Sequence, residues 1–128
     1  MTLDTRPKIV TIDQARALAA ETGSPRIAFV THMEVLRASH VRRLDELARG
    51  RAGKLFVVLT DPELPLTPLA ARAEVAAALR VVDYVVPAPE GPGPALAAIQ
   101  ADLTVDDEGE DRERTRLLVE HVRSRSRI

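Results

Sequence analysis

Residues 26–50 read RIAFVTHMEVLRASHVRRLDELARG, and this stretch decides the fold. It opens on Ile27-Ala28-Phe29-Val30, a short continuous apolar run of the kind that forms a buried strand. A polar turn at Thr31-His32 follows. From Leu36 onward the apolar residues take helical spacing, with Val41, Leu44 and Leu47 three apart on one face. Gly50 supplies a stop, and Arg49 suits the negative end of the helix. A strand passing straight into a helix leaves unpaired backbone N–H groups and a positive dipole end at the junction, which favours an anion. His32, Arg37, Ser39 and His40 fall at that junction.

The same alternation continues outward in both directions. Upstream, Thr11-Ile12-Asp13-Gln14 fits a capping box for the Ala-rich run Ala15–Thr22, and Gly23 ends that helix. Met1–Pro7 reads as a loose lead-in. Downstream, strands are predicted near residues 54–60, 81–86 and 102–105, after the first at 26–31. Helices are predicted from about Leu69 to Arg80 and over Ala95–Gln100, the latter with Pro94 in its first turn. Asp61–Pro68 and Pro87–Pro94 are proline-punctuated loops. An acidic stretch, Asp106 to Asp111, leads into a charged segment in which Thr115, Leu118 and Val122 have helical spacing. A strand at Arg116–Val122 competes, so residues 112–127 stand between helix and strand. Strands alternating with helices predict an α/β class: one domain over 1–128, with a three-layer, Rossmann-like parallel sheet and ligands at the C-terminal strand ends.

Composition narrows the chemistry. Hydrophobic residues make up 45% of the 128 and aromatics only 2%, so Ala, Val and Leu must build the interior. The absence of cysteine excludes disulfides, thiolate metal sites and cysteine nucleophiles. With 18 basic against 19 acidic residues there is no nucleic-acid or membrane footprint. No apolar run approaches a membrane span, and the N-terminus lacks the apolar core of a signal peptide, so a cytoplasmic protein is expected. His32, His40 and Glu34 lack the ligand spacing of a zinc site, and no metal ligands are assigned.

Leu36-Arg37-Ala38-Ser39-His40-Val41-Arg42-Arg43-Leu44 resembles the region around the His-x-Gly-His signature of cytidylyltransferase-like nucleotidyltransferases. Ala71–Arg80, followed by Val82-Asp83-Tyr84-Val85-Val86-Pro87, is similar to that family's second motif-bearing helix and strand. The resemblance, nearest to the nucleotidyltransferase domain of ADP-heptose synthase and to glycerol-3-phosphate cytidylyltransferases, runs through most of the chain. It implies a pocket in which two imidazoles at a helix start stabilise charge on a triphosphate as pyrophosphate leaves. Positioning and electrostatics carry such chemistry, and Mg2+ accompanies the triphosphate.

Carried onto this chain, the resemblance places His40 at the second histidine of the signature and Arg37 at the first. Ser39 stands at the glycine, Glu34 at an aspartate and Thr31 at an upstream glycine; Arg72 matches an arginine of the family pattern. Arg37 binds phosphate through several donors but gives up no proton near neutral pH. Ser39 adds a Cβ and a hydroxyl where approach should be closest, or serves simply as the helix N-cap. His40 is alternatively an ordinary helix-start histidine, Arg72 a solvated helix arginine and His32 a turn residue. The loop Asp61–Pro68 has no lysine or arginine for a substrate phosphate, and the C-terminus looks shortened, lacking the family's Ser/Thr-rich loop.

These departures predict a diverged, catalytically weak or inactive nucleotidyltransferase-like domain that retains a nucleotide or phosphate pocket. One alternative is an active enzyme joining a nucleotidyl group from ATP or CTP to a sugar or polyol phosphate, with Mg2+. The other is a non-catalytic oligomeric interaction module. A homodimer is expected, because the resembled family commonly dimerises and the small-residue surface Ala70–Ala78 suits close helix packing.

Overall fold

Two apolar faces on each central strand dictate the layers. The computed structural model describes residues 3–23, 25–49 and 53–126. Strand β1 (Arg26–Thr31) sends Ile27 and Phe29 to one face and Val30 to the other, and β2 (Lys54–Leu59) sends Leu55, Val57 and Leu59 one way and Phe56 and Val58 the other. Both faces must therefore be covered. On one side lie α2 (Ala38–Ala48) and α3 (Leu69–Ala77), contributing Leu44, Ala73, Ala76 and Ala77 to the core. On the other lie α1 (Ile12–Thr22) and α4 (Gly93–Ile99), contributing Ala15, Ala19, Ala95 and Ile99. The short alanine side chains let the helices approach closely, as a chain with so few aromatics requires. Phe29 and Phe56 are the large anchors, and the Phe56 ring packs against Tyr84 at 5.2 Å.

All four strands, including β3 (Tyr84–Pro87) and β4 (Leu103–Asp106), are parallel, in the order β3-β2-β1-β4. The chain moves outward from β1 through β2 to β3, then returns by α4 to lay β4 against the free side of β1. The order reverses between β1 and β4, and in open α/β sheets a crevice for ligands forms at such a switch point. This is the expected three-layer α/β, Rossmann-like arrangement.

Several details differ from the sequence expectation. The third strand starts at Tyr84, not Val81, because Val82 closes a turn onto the Leu79 carbonyl and Asp83 is held at the head of β2 by its N–H to Leu55 O. The lead-in ends in order: Arg6–Lys8 form a 3-10 turn, and Ile9 just after it bridges Val85 on the outer edge of β3. The charged C-terminal segment is one 19-residue helix, α5 (Glu108–Ser126), and no strand forms at Arg116–Val122. It opens on an acidic turn in which Asp106 Oδ1 accepts the Glu108 N–H at 2.9 Å. The predicted stop at Gly50 and the tail residue Arg127 lie outside the described residues.

The capping box at Thr11 forms as expected, with Gln14 N–H on Thr11 Oγ1 and Thr11 N–H on Gln14 Oε1. Ser39, however, is not an N-cap. That position belongs to Arg37, with extended backbone, and Ser39 sits exposed in the first turn. The buried face of α2 is His40, Leu44 and Leu47, while Val41 is 40% exposed. The helix is rotated from the Val41-Leu44-Leu47 expectation because His40 is drawn inward by a buried partner.

One glycine is demanded by close approach. A Cβ on Gly53 would overlap the Pro25 carbonyl oxygen, at the point where the heads of β1 and β2 come together. Gly53→Ala should therefore lower the unfolding free energy by roughly 1–3 kcal/mol through overpacking, measured by denaturant titration. An unchanged midpoint would contradict this contact.

Candidate functional site at the switch point

The C-terminal end of β1 is unusual in its backbone. Met33 is fully buried with φ of 48°, a left-handed conformation that costs an L-residue about 1–2 kcal/mol. Thr31 holds the bend, its Oγ1 accepting the Met33 N–H at 3.2 Å. Such strain, over-determined by its surroundings, is characteristic of sites. Around the bend, residues 31–40 aim four donors at one point.

That point is the carboxylate of Asp111, on the first turn of α5 and 2% exposed. Its Oδ2 accepts the Thr31 hydroxyl and, at 2.9 Å, the His32 backbone N–H. Its Oδ1 accepts Arg37 Nη2 at 3.0 Å and His40 Nε2 at 2.6 Å. The His40 tautomer follows from geometry. Nδ1 accepts the Arg37 backbone N–H at 3.1 Å, so the ring proton sits on Nε2 and points at Asp111. Arg37 Nη2 and His40 Nε2, 3.2 Å apart, are then two donors sharing one oxygen, not partners of each other. Burial alone would raise the Asp111 carboxyl, but hydrogen bonds from His40, Thr31 and the His32 N–H outweigh it and hold it down at about 2. Arg37 Nε is enclosed without a hydrogen-bond partner, a donor that the two carboxylate oxygens leave unused.

Two further acids of the same stretch face basic groups. Asp107 pairs with Arg43 at 3.3 Å; burial raises its carboxyl, with Arg43 opposing. Glu108 Oε2 lies 3.3 Å from His32 Nε2 and accepts the Thr60 hydroxyl at 2.6 Å. The acidic stretch is thus the counter-charge of the switch point. In the sequence, Asp107 and Asp111 show helical spacing, four apart, but nothing in that spacing ties them to β1.

Thr31, Arg37 and His40 come together in this way; Glu34, Arg72 and Ser39 do not join them. Glu34 is buried, and its Oε2 accepts the N–H groups of Leu66 and Thr67 at 3.0 and 3.1 Å, pinning the β2–α3 loop. Arg72 is 2% exposed rather than solvated, and donates to the carbonyls of His32, Thr60 and Thr67 and to Asp61. Ser39 lines a separate open cavity of about 440 Å³ with Arg42, Arg43 and Glu46. His32 is buried at the site rather than a surface turn residue. A groove of about 430 Å³ runs between the β2–α3 loop and α5. Its basic side chains, Arg112, Arg116 and Arg123, come from α5, opposite the loop that lacks them.

His40, Asp107 and Asp111 offer ligand atoms within 4.8 Å of one another. They do not fit a resident cation. Arg37 and the His40 N–H both occupy Asp111 Oδ1, and Arg43 pairs with Asp107, so a divalent ion would meet two cations and a donor hydrogen. None of the described helices is long and apolar enough to cross a membrane. No protein-family model matches the chain, and no curated protein matches it.

Proposed function

We propose that this chain is a diverged cytidylyltransferase-like nucleotidyltransferase domain that binds an oxyanion at its switch point and transfers nucleotidyl groups weakly or not at all. The oxyanion is inorganic phosphate or the phosphate tail of a nucleotide. One observation carries the reading: the Thr31 hydroxyl, His32 N–H, Arg37 and His40 converge on a single negatively charged group. A tetrahedral phosphate presents more oxygens than a carboxylate and would also serve Arg37 Nε. Weak catalysis follows from the same residues. Arg37 is a guanidinium where an imidazole is expected, and His40 has Nδ1 committed to backbone, so no pair of imidazoles is available to follow charge onto pyrophosphate.

Calorimetry with phosphate, ATP and CTP tests this. Arg37→Ala should weaken phosphate binding by roughly 1–3 kcal/mol, the loss of a charge-assisted hydrogen bond. Robust pyrophosphate release from ATP or CTP with a panel of sugar and polyol phosphates would replace this reading with an active transferase. No binding of any of them by a folded protein would leave an interaction module.

A symmetric homodimer belongs to the same proposal. Of the Ala70–Ala78 surface, Ala73, Ala76 and Ala77 are spent on the chain's own sheet, leaving Ala70, Ala71, Val75 and Ala78 exposed for a partner copy. Light scattering at micromolar concentrations should give twice the 14.0 kDa chain mass, and a monomer throughout would remove the dimer.

A further inference from the structure

Among the described residues, the helix that fills the oxyanion site is seated chiefly by its acidic first turn. Of the described side chains of α5, Asp111 alone is buried. Glu108, Thr115 and Val119 are half-covered, while Leu117, Leu118 and Val122 are 47%, 42% and 55% exposed. Among the described residues no apolar side chain of the helix is fully buried, although burial of an apolar face is what normally seats one. Its attachment is electrostatic: Asp111 on the β1–α2 donors, Glu108 on His32 and Thr60, and the preceding Asp107 on Arg43.

We infer that Asp111 is an intramolecular stand-in for the oxyanion, so that α5 and an external oxyanion compete for the same four donors and binding releases the helix. This rests on the oxyanion reading above and adds a regulated element to it. An anion that takes over Thr31, the His32 N–H, Arg37 and His40 leaves Asp111 without a partner and beside a second negative charge. The first turn of α5 then separates from the end of β1. By linkage, docking of α5 lowers the apparent anion affinity by the fraction of chains in which the donors are free. The groove between α5 and the β2–α3 loop changes width with the same step, because Arg112, Arg116 and Arg123 travel with the helix.

The absence of native cysteine makes the motion directly measurable. Leu64→Cys with Arg123→Cys places nitroxide labels on opposite walls of the groove. Saturating inorganic phosphate should add a longer-distance population in the otherwise native chain. Asp111→Ala should show that population without phosphate, and should bind phosphate on the order of a hundredfold or more tighter, since its internal competitor is gone. Asp111→Asn keeps the shape with a weaker acceptor, should lie between the two, and serves if the alanine variant does not fold. Phosphate should also raise the melting temperature of either variant more than that of the parent. If phosphate binds but distances and affinities match across all three proteins, the competition is wrong and the oxyanion site stands. If neither the parent nor a folded Asp111 variant binds phosphate, the oxyanion site itself is wrong.

Discussion

Asp111→Ala should lower the unfolding free energy by roughly 3–5 kcal/mol in the absence of added anion, the loss expected when one member of a buried charged network is removed. The magnitude comes from what stays behind. Arg37 Nη2, His40 Nε2, the Thr31 hydroxyl and the His32 N–H all lose their charged acceptor, and with it goes the contact that seats the first turn of α5. Urea titration at neutral pH measures the effect, and a difference under about 1 kcal/mol would place Asp111 among ordinary surface carboxylates. The sign of the pH dependence follows from the depressed carboxyl. Its folded value of about 2 lies below the 3.8 of an ordinary aspartate, so its contribution is complete above about pH 4. It is lost as pH falls from there through about 2. Over that window the stability gap between the native chain and Asp111→Asn should close by about 2 kcal/mol. A gap that stays constant, or widens on acidification, would contradict the hydrogen-bonded carboxylate.

Arg72→Ala should be of comparable size, roughly 3–5 kcal/mol, without touching the oxyanion donors. The guanidinium joins three carbonyls, those of His32, Thr60 and Thr67, with the Asp61 carboxylate. It thereby ties the ends of β1 and β2 to the start of the β2–α3 loop. Removing it orphans buried acceptors and an acidic partner together. Arg72→Lys should recover only part of the loss, because a point charge cannot span acceptors that a planar fork reaches at once. In either variant, where folded, phosphate affinity should stay within about threefold of the native value, less than a lost hydrogen bond would cost. A larger drop would mean that Arg72 reaches the ligand.

The layers were legible in the sequence because burial on two sides leaves a continuous apolar run, and Ile27–Val30 and Leu55–Leu59 are such runs. The C-terminal strand ends followed as the ligand side from the strand–helix alternation, but the strand order that creates the switch point did not. Arg37 and His40 were legible because both lie on one strand-to-helix junction, whereas Thr31 was singled out only by the family resemblance. The residue that unites them was not, because Asp111 is 71 residues from His40 and 80 from Thr31 and sits in a run of acids that looks solvated. Arg72 was hidden differently: an arginine in an Ala-rich helix carries no sign of whether carbonyl oxygens await it. Ser39 misled because serine is a good N-cap in general, whereas here the His40 ring takes the Arg37 N–H and the helix starts earlier. Helix spacing outlasted the competing strand over residues 116–122, where charges paired three and four apart, Arg116 with Glu113 and Glu120, suit only a helix.

The position of β4 has a consequence for the order in which the molecule assembles. β1 meets β2 across 28 residues of chain, but β1 meets β4 across 76. Closing the longer loop costs more entropy, and contacts of that separation form late. The donors on β1 and α2 belong to the early part, and their acceptor arrives with the last strand. During synthesis, a ribosome-bound chain ending before Leu103 would already hold Thr31, Arg37 and His40 with nothing to close over them. Any oxyanion present in that interval would meet the donors before Asp111 does, and the free concentration of phosphate would bear on how the final helix is seated.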